Sequence, residues 1–294
     1  MVSIEKKVGV KHTYYYLEHS IRRGRRVEKK TLYLGKQIPT NIDKIKKNFL
    51  IEIYKIQFFD SLGKMKQKYS REQKHLSQSL KEKNIEYFTT RFTYDTQKIE
   101  GSKLSLHETA ALLEEGTLPK NRTMRDVKEA QAHKMLFHRV LAYDKELTLN
   151  TILEWHRLLF QDTRPDTAGK IRKHRVGISG SKFVPPLPVE IYPLLRDFFR
   201  WYIREKEMIH PVQLSALVHL KFVTIHPFDD GNGRISRIMM NFILNRKNYP
   251  LLNIPYEGRN SYYKALERSQ TRKEDDFFVQ WLMKNYIKIH KFYL

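Results

Sequence analysis

A twelve-residue polar segment, His226-Pro227-Phe228-Asp229-Asp230-Gly231-Asn232-Gly233-Arg234-Ile235-Ser236-Arg237, lies between two stretches with the apolar spacing of helices. Upstream, Leu214, Leu217, Val218, Lys221 and Phe222 recur at three and four residues, which predicts a helix over Val212 to Ile225. Downstream, Ile235, Ile238, Met239, Phe242 and Ile243 mark the face of a second helix that begins near Gly233. His226 precedes a proline, which disfavours the α region and ends the first helix there. The result is a helix–loop–helix whose polar loop opens onto a helix N-terminus.

That arrangement suits a phosphate chain. The first amides of a helix have no intrahelical acceptor and carry the positive end of the macrodipole. Gly231 and Gly233 permit a bend and a close approach. Arg234 and Arg237 are three residues apart, so they can project from one helix face toward one anion. Asp230 is a hard oxygen ligand of the kind magnesium takes alongside phosphate oxygens. An unperturbed histidine titrates near ~6.5, so His226 is largely neutral at pH 7 and able to accept a hydroxyl proton.

The segment resembles the Fic motif, His-Pro-Phe-x-Asp-Gly-Asn-Gly-Arg-x-x-Arg, at every fixed position. The resemblance implies a mainly α protein, a Fic-type helical bundle with a β-hairpin flap. It also implies an enzyme that transfers AMP from ATP to a Tyr, Thr or Ser hydroxyl of a target protein. On that basis His226 is the general base, Phe228 anchors the loop and Asp230 holds Mg²⁺. Gly231, Asn232 and Gly233 form the anion hole, and Arg234 and Arg237 bind the outer phosphates.

Three further segments gain meaning from it. Thr96-Gln97-Lys98-Ile99-Glu100-Gly101 reads in isolation as a helix C-terminus with Gly101 just past the end. It also resembles the family's inhibitory motif, which implies that Thr96 and Glu100 face one side of a helix and that Glu100 pairs with Arg237. ATP would then bind with its α-phosphorus misaligned, and the same glutamate could support AMP removal. The stretch Val176 to Pro188 places β-prone residues around a glycine turn and resembles the flap that clamps a target by main-chain pairing. Gly180, Ser181, Lys182 and Phe183 would lie nearest the nucleotide. Asn260 to Leu266 resembles the adenosine-enclosing segment, with Tyr262 and Tyr263 as the rings that suit a purine. Gln270 falls where some relatives have an asparagine.

Elsewhere the chain reads as three parts: a small basic β module at 1–38, a helical arm at 39–90 that could form dimers, and the Fic domain from 91 to 294. The module has strands at His12–Leu17 and Val27–Leu34 around a turn at Arg22-Arg23-Gly24-Arg25-Arg26. In the arm, Gly63 is expected to break the helical pattern, with a charged helix over Ser70–Lys83. Ser105-Leu106-His107-Glu108 is a capping box. The formal net charge is +23, with 23 Lys+Arg against 11 Asp+Glu in residues 1–100. A basic N-terminus could contact nucleic acid, and a nucleic-acid-binding regulator with a latent Fic core is one competing expectation. A Fic-type kinase or phosphotransferase is another, although such variants depart in the Gly-Asn-Gly stretch that is intact here. There is no cysteine, which excludes disulfides and thiolate metal sites. The N-terminus has no apolar signal core and no run has membrane-spanning length, so a cytoplasmic protein without membrane contact is expected. Self-AMPylation and homodimer formation complete the expected partners.

Overall fold

The computed structural model describes residues 2–23 and 26–294. Gly24 and Arg25, the centre of the expected basic turn, lie outside the described residues. The chain divides into two compact units, Met1–Met65 (with Leu294) and Lys66–Tyr293.

The first unit opens with a three-stranded antiparallel sheet in the order β1 (Ser3–Val8), β2 (Thr13–Arg23), β3 (Arg26–Gly35). β1 was absent from the sequence expectation. Its Ile4 and Val8 alternate too weakly among charged neighbours to signal a strand, and pairing from Ser3↔Glu18 to Val8↔Thr13 defines it. On one face Tyr14, Tyr16 and Tyr33 cluster, with ring centroids 6.2 and 5.3 Å from Tyr33. Leu17 and Ile21 are buried. Glu18 pairs with Lys7 at 3.1 Å and Lys29 at 3.4 Å, which neutralises part of the sheet's charge.

Helix α1 (Ile42–Tyr54) runs through a π turn at Lys55–Phe59 into α2 (Asp60–His75). Gly63 does not break it. A lone glycine costs about 1 kcal/mol relative to alanine, too little to stop a helix whose backbone bonds continue on both sides. The interruption comes instead inside the expected Ser70–Lys83 helix. There Ser77 accepts a hydrogen bond from the Leu80 N–H and caps α3 (Gln78–Ile99). One continuous helix therefore carries the chain from the arm to Glu100.

The second unit contains α3 and adds α4 (Leu106–Glu114), α5 (Met124–Leu141), α6 (Leu149–Phe160), α7 (Pro188–Glu205), α8 (Pro211–Ile225), α9 (Asn232–Arg246), α10 (Arg259–Arg272) and α11 (Asp276–Ile289). The expected capping box is present: the Ser105 hydroxyl accepts from the Glu108 N–H, and the Glu108 carboxylate accepts from the Ser105 N–H. The core brings Phe222 and Ile225 of α8, Ile235 and Phe242 of α9, Phe137 of α5 and Trp155 of α6 into one cluster. α9 is buried on almost every side between Asn232 and Leu244, which makes it the central helix. Its polar residues are thus placed where each needs a partner.

The fold is mainly helical as expected, but the β-hairpin flap takes a different form. Val176 to Leu187 carries neither helix nor strand and reverses at Gly180, where the Ser181 N–H donates to the Ile178 carbonyl at 3.1 Å. No strand is assigned there among the described residues. A ladder requires repeated N–H to C=O exchange, and Pro185, Pro186 and Pro188 supply no donors on the returning side.

Candidate functional site: a cavity at the N-terminus of the central helix

Helix α8 ends at His226, which adopts the left-handed conformation (φ 52°, ψ 57°) rather than the extended one expected before a proline. Its N–H still donates to the Phe222 carbonyl, so the chain turns sharply within one residue. The ring Nδ1 lies 3.2 Å from the Val223 carbonyl. Only a protonated Nδ1 can bond a carbonyl, so Nε2 is left with its lone pair. Burial pushes the imidazole below its usual pKa, and Arg172 adds to this against the Val223 carbonyl, Glu100 and Asp230. The ring is held neutral.

The loop beyond it is braced from within. Phe228 is buried and stacks on His156 at 3.7 Å. The Asn232 side chain accepts from the Phe228 N–H at 2.9 Å and donates to the Phe228 carbonyl at 2.8 Å. Asn232 therefore closes the loop with its side chain, and only its backbone amide is left for an anion. His156 Nδ1 accepts from the Gly169 N–H at 2.8 Å, which leaves Nε2–H to donate to the Asp230 carbonyl at 3.0 Å. Gly231 sits at φ 81°, and a Cβ there would meet Phe160 at 2.3 Å. Both facts demand glycine. The amides of Asn232, Gly233 and Arg234 form the first turn of α9 and lack intrahelical acceptors.

The two arginines part company. Arg237 is inside the cavity wall: Nε donates to Thr96 Oγ1 at 2.6 Å, and Nη2 donates to Glu100 Oε1 at 2.5 Å. Nη1 donates to the Tyr262 hydroxyl at 3.4 Å. Arg234, expected at the outer phosphates, instead turns into the core. It pairs with Glu129, donates to Gln97 Oε1 at 3.1 Å and reaches Asp230 Oδ2 at 3.1 Å. The cause is the central position of α9, which leaves this face no route to solvent.

Asp230, the expected metal ligand, accepts from the Gly231 N–H at 2.6 Å and pairs with Arg164 at 2.7 Å. Burial raises the pKa of its carboxyl, but Arg234 and Arg164 outweigh that and hold it below the usual carboxylate value. Its side chain is 30% exposed. A carboxylate offers about four lone-pair directions, so three protein donors leave room for one further contact.

Glu100 is the C-cap of α3, with Gly101 at φ 97°. The Gly101 N–H donates to Lys98 O at 3.1 Å and the Ser102 N–H to Gln97 O at 3.0 Å, the Schellman pattern. The helix-end reading of this segment and the inhibitory reading thus describe one geometry, because the helix end aims Glu100. Its carboxylate lies over Gly233, where a Cβ would be 2.5 Å from Oε1. Glu100, His226, Gly233 and Arg237 line one cavity of about 350 Å³ together with Tyr262 and Tyr263. Tyr262 is buried, hydrogen-bonded to His219 at 2.9 Å, and burial pushes its hydroxyl to about 12. Tyr263 donates to the Ile99 carbonyl at 3.1 Å. Ser179, Gly180, Ser181 and Gln270 close the cavity, whereas Lys182 and Phe183 stand outside its lining. Glu129, Arg164, Gln97, His156 and Arg172 support the site without having been singled out for it. Each acts through a contact distant in sequence.

Fold and site define a helical protein in which an imidazole, a helix N-terminus, an arginine and a tyrosine pair converge on one cavity. Residues 146–244 match the model of the Fic/DOC family. It is 35% identical over 181 residues to protein adenylyltransferase fic-1 of Caenorhabditis briggsae, a match covering 60% of this chain and 35% of that one. It is also 35% identical over 178 residues to protein adenylyltransferase Fic of Drosophila ananassae, covering 59% of this chain. The chain thus spans about a third of the length of the curated relatives it matches. Among solved structures it resembles a Fic domain containing signaling protein from Bacteroides thetaiotaomicron (TM-score 0.70, 26% identity, 79% of this chain and 95% of that one). Fic-1 from C. elegans is similar (TM-score 0.70, 27% identity, 86% of this chain and 75% of that one). No helix among the described residues is long and apolar enough to cross a membrane.

Proposed function

We propose that this chain transfers AMP from ATP to a hydroxyl of a protein target and that Glu100 restrains it. The observation that carries this reading is the Glu100 carboxylate, seated between Gly233 at the start of α9 and the Arg237 guanidinium, in the cavity that also holds His226. An internal anion occupying that position supports a site made for phosphate oxygens.

His226 Nε2 takes the proton of a Tyr, Thr or Ser hydroxyl. The oxygen forms a bond to the α-phosphorus as the bond to pyrophosphate breaks, leaving AMP on the target. The first-turn amides of α9 and Arg237 receive phosphate oxygens once Glu100 withdraws. Arg234 holds Asp230 in place rather than touching the outer phosphates. Asp230, ionised and with one free direction, is the residue that would hold Mg²⁺. There the ion would supply charge neutralisation to the phosphates. Tyr262 and Tyr263 enclose the purine, and the backbone at Ser179 and Gly180, beside the Ser181–Ile178 turn bond, offers a target segment an edge. Glu100 and His226 in one cavity also suit the reverse task of AMP removal, with Glu100 orienting water.

Intact-protein mass spectrometry after incubation with ATP and Mg²⁺ tests this, using wild type, Glu100→Gly and Glu100→Gly/His226→Ala, with labelled ATP in cell lysate as a second arm. An AMP-sized adduct on the chain or on a lysate protein, confined to Glu100→Gly, is expected. A phosphate-sized adduct, or transfer that persists without His226, would overturn the assignment.

A further inference from the structure

Arg172 lies between α6 and α7 and is 3% exposed. No carboxylate lies within ion-pair distance among the described residues. Its guanidinium donates instead to three carbonyls: Nε to His226 at 2.8 Å, Nη1 to His174 at 2.8 Å and Nη2 to Pro186 at 2.7 Å. Its own N–H donates to the Pro227 carbonyl at 3.0 Å. His174 and Pro186 are the two feet of the segment that carries the Gly180 turn. One planar fork therefore joins both ends of that segment to the backbone of His226 and, through Pro227, to the loop beyond.

A buried guanidinium that Asp229 favours only from beyond ion-pair distance is an expensive way to tie three stretches of backbone together. An amide side chain has two donor hydrogens and would leave one carbonyl unmade, while lysine lacks the planar spread. The fork is specific to arginine, and it clamps the residue whose left-handed backbone aims the ring.

We infer that Arg172 is a positioning residue that sets the flap segment and the His226 ring in one register, so that a hydroxyl presented along the flap meets Nε2. This rests on the adenylyl-transfer reading. It also has an electrostatic corollary. The charged groups acting on His226 are Arg172, Glu100 and Asp230, and of these only Arg172 favours the neutral ring.

The test places Arg172→Gln and Arg172→Lys in the Glu100→Gly background. Transfer kcat should fall by about tenfold or more in Arg172→Gln, against the roughly 10²-fold that a misplacement of about 1 Å can cost. The Kd for ATP should stay within about threefold of the parent, which also reports an intact fold. Arg172→Lys keeps the charge but not the fork, so it should lose kcat while holding the pH profile. In Arg172→Gln the His226 ring should titrate at higher pH by NMR, carrying the acid limb of the transfer profile upward with it. A kcat within about twofold of the parent in both variants would overturn the inference. So would ATP binding lost in proportion to kcat. If Glu100→Gly itself transfers no AMP to any protein, the functional reading fails. The NMR titration then decides separately, with an unmoved His226 in Arg172→Gln refuting the coupling and an upward shift supporting it.

Discussion

Removing Glu100 should weaken the apo protein and strengthen its response to ATP. Arg237 is 1% exposed, and among the described residues Glu100 is its sole anionic contact. Without Glu100 the guanidinium keeps the Thr96 hydroxyl at 2.6 Å, with the Thr96 carbonyl and the Tyr262 hydroxyl both at 3.4 Å. All three are neutral. Breaking a buried pair from one side costs about 3–5 kcal/mol. Glu100 itself is 25% exposed, and solvent screening reduces the figure to roughly 1–3 kcal/mol. In a domain of this size each kcal/mol moves Tm by about 2–4 °C, so Glu100→Gly should melt roughly 2–12 °C below wild type. ATP with Mg²⁺ at about 100 times its Kd adds about 2.7 kcal/mol to any form that binds it, or roughly 5–11 °C. In wild type the γ-phosphate must compete with Glu100 for Arg237, so its shift should be smaller. Differential scanning fluorimetry of both forms across an ATP titration measures each quantity. If apo Glu100→Gly melts at or above wild type, or if ATP shifts the two equally, the carboxylate does not stand in the nucleotide's place.

Other outcomes follow from the same contacts. Gly231→Ala combines a left-handed backbone with a Cβ 2.3 Å from Phe160. Urea denaturation should register a loss of roughly 2–5 kcal/mol, with ATP binding abolished. Asn232→Ala removes both side-chain bonds to Phe228. It should cost about 1–3 kcal/mol in the same assay and loosen the loop to proteolysis. Acid should destabilise the second unit early. His133 and His219 are lowered to about 3, and His156, His210 and His290 to about 4, all first by burial. In the unfolded chain they protonate near ~6.5, so between pH 6.5 and 4 the unfolded state binds more protons and stability falls with pH. The slope should reach up to roughly 1.4 kcal/mol per pH unit for each histidine. Denaturation midpoints that are flat across that window would refute the buried, neutral assignment.

The features legible beforehand are those written locally. The spacing around residues 226–237 gave α8, α9 and the turn between them, because helical periodicity and the glycine and proline signals act within a few residues. Ser105 and Glu108 announced their capping box for the same reason, and Gly101 its helix end. Tertiary structure alone decided which arginine serves the cavity. Arg234 and Arg237 are equivalent in sequence, three residues apart on one helix. α9 lies at the centre of the bundle, so Arg234 meets Glu129 across 105 residues and Arg237 meets Glu100 across 137. The Val176–Pro188 segment lacks the paired strands its composition suggested, since a ladder depends on donors facing acceptors and prolines supply none. Arg172 gave little local sign of its part, because the carbonyls it joins converge only when the chain is folded. Side-chain chemistry and short-range geometry are carried by the sequence directly. Which partner a buried charge finds depends on what the packed core brings within 3 Å, and that only the folded chain determines.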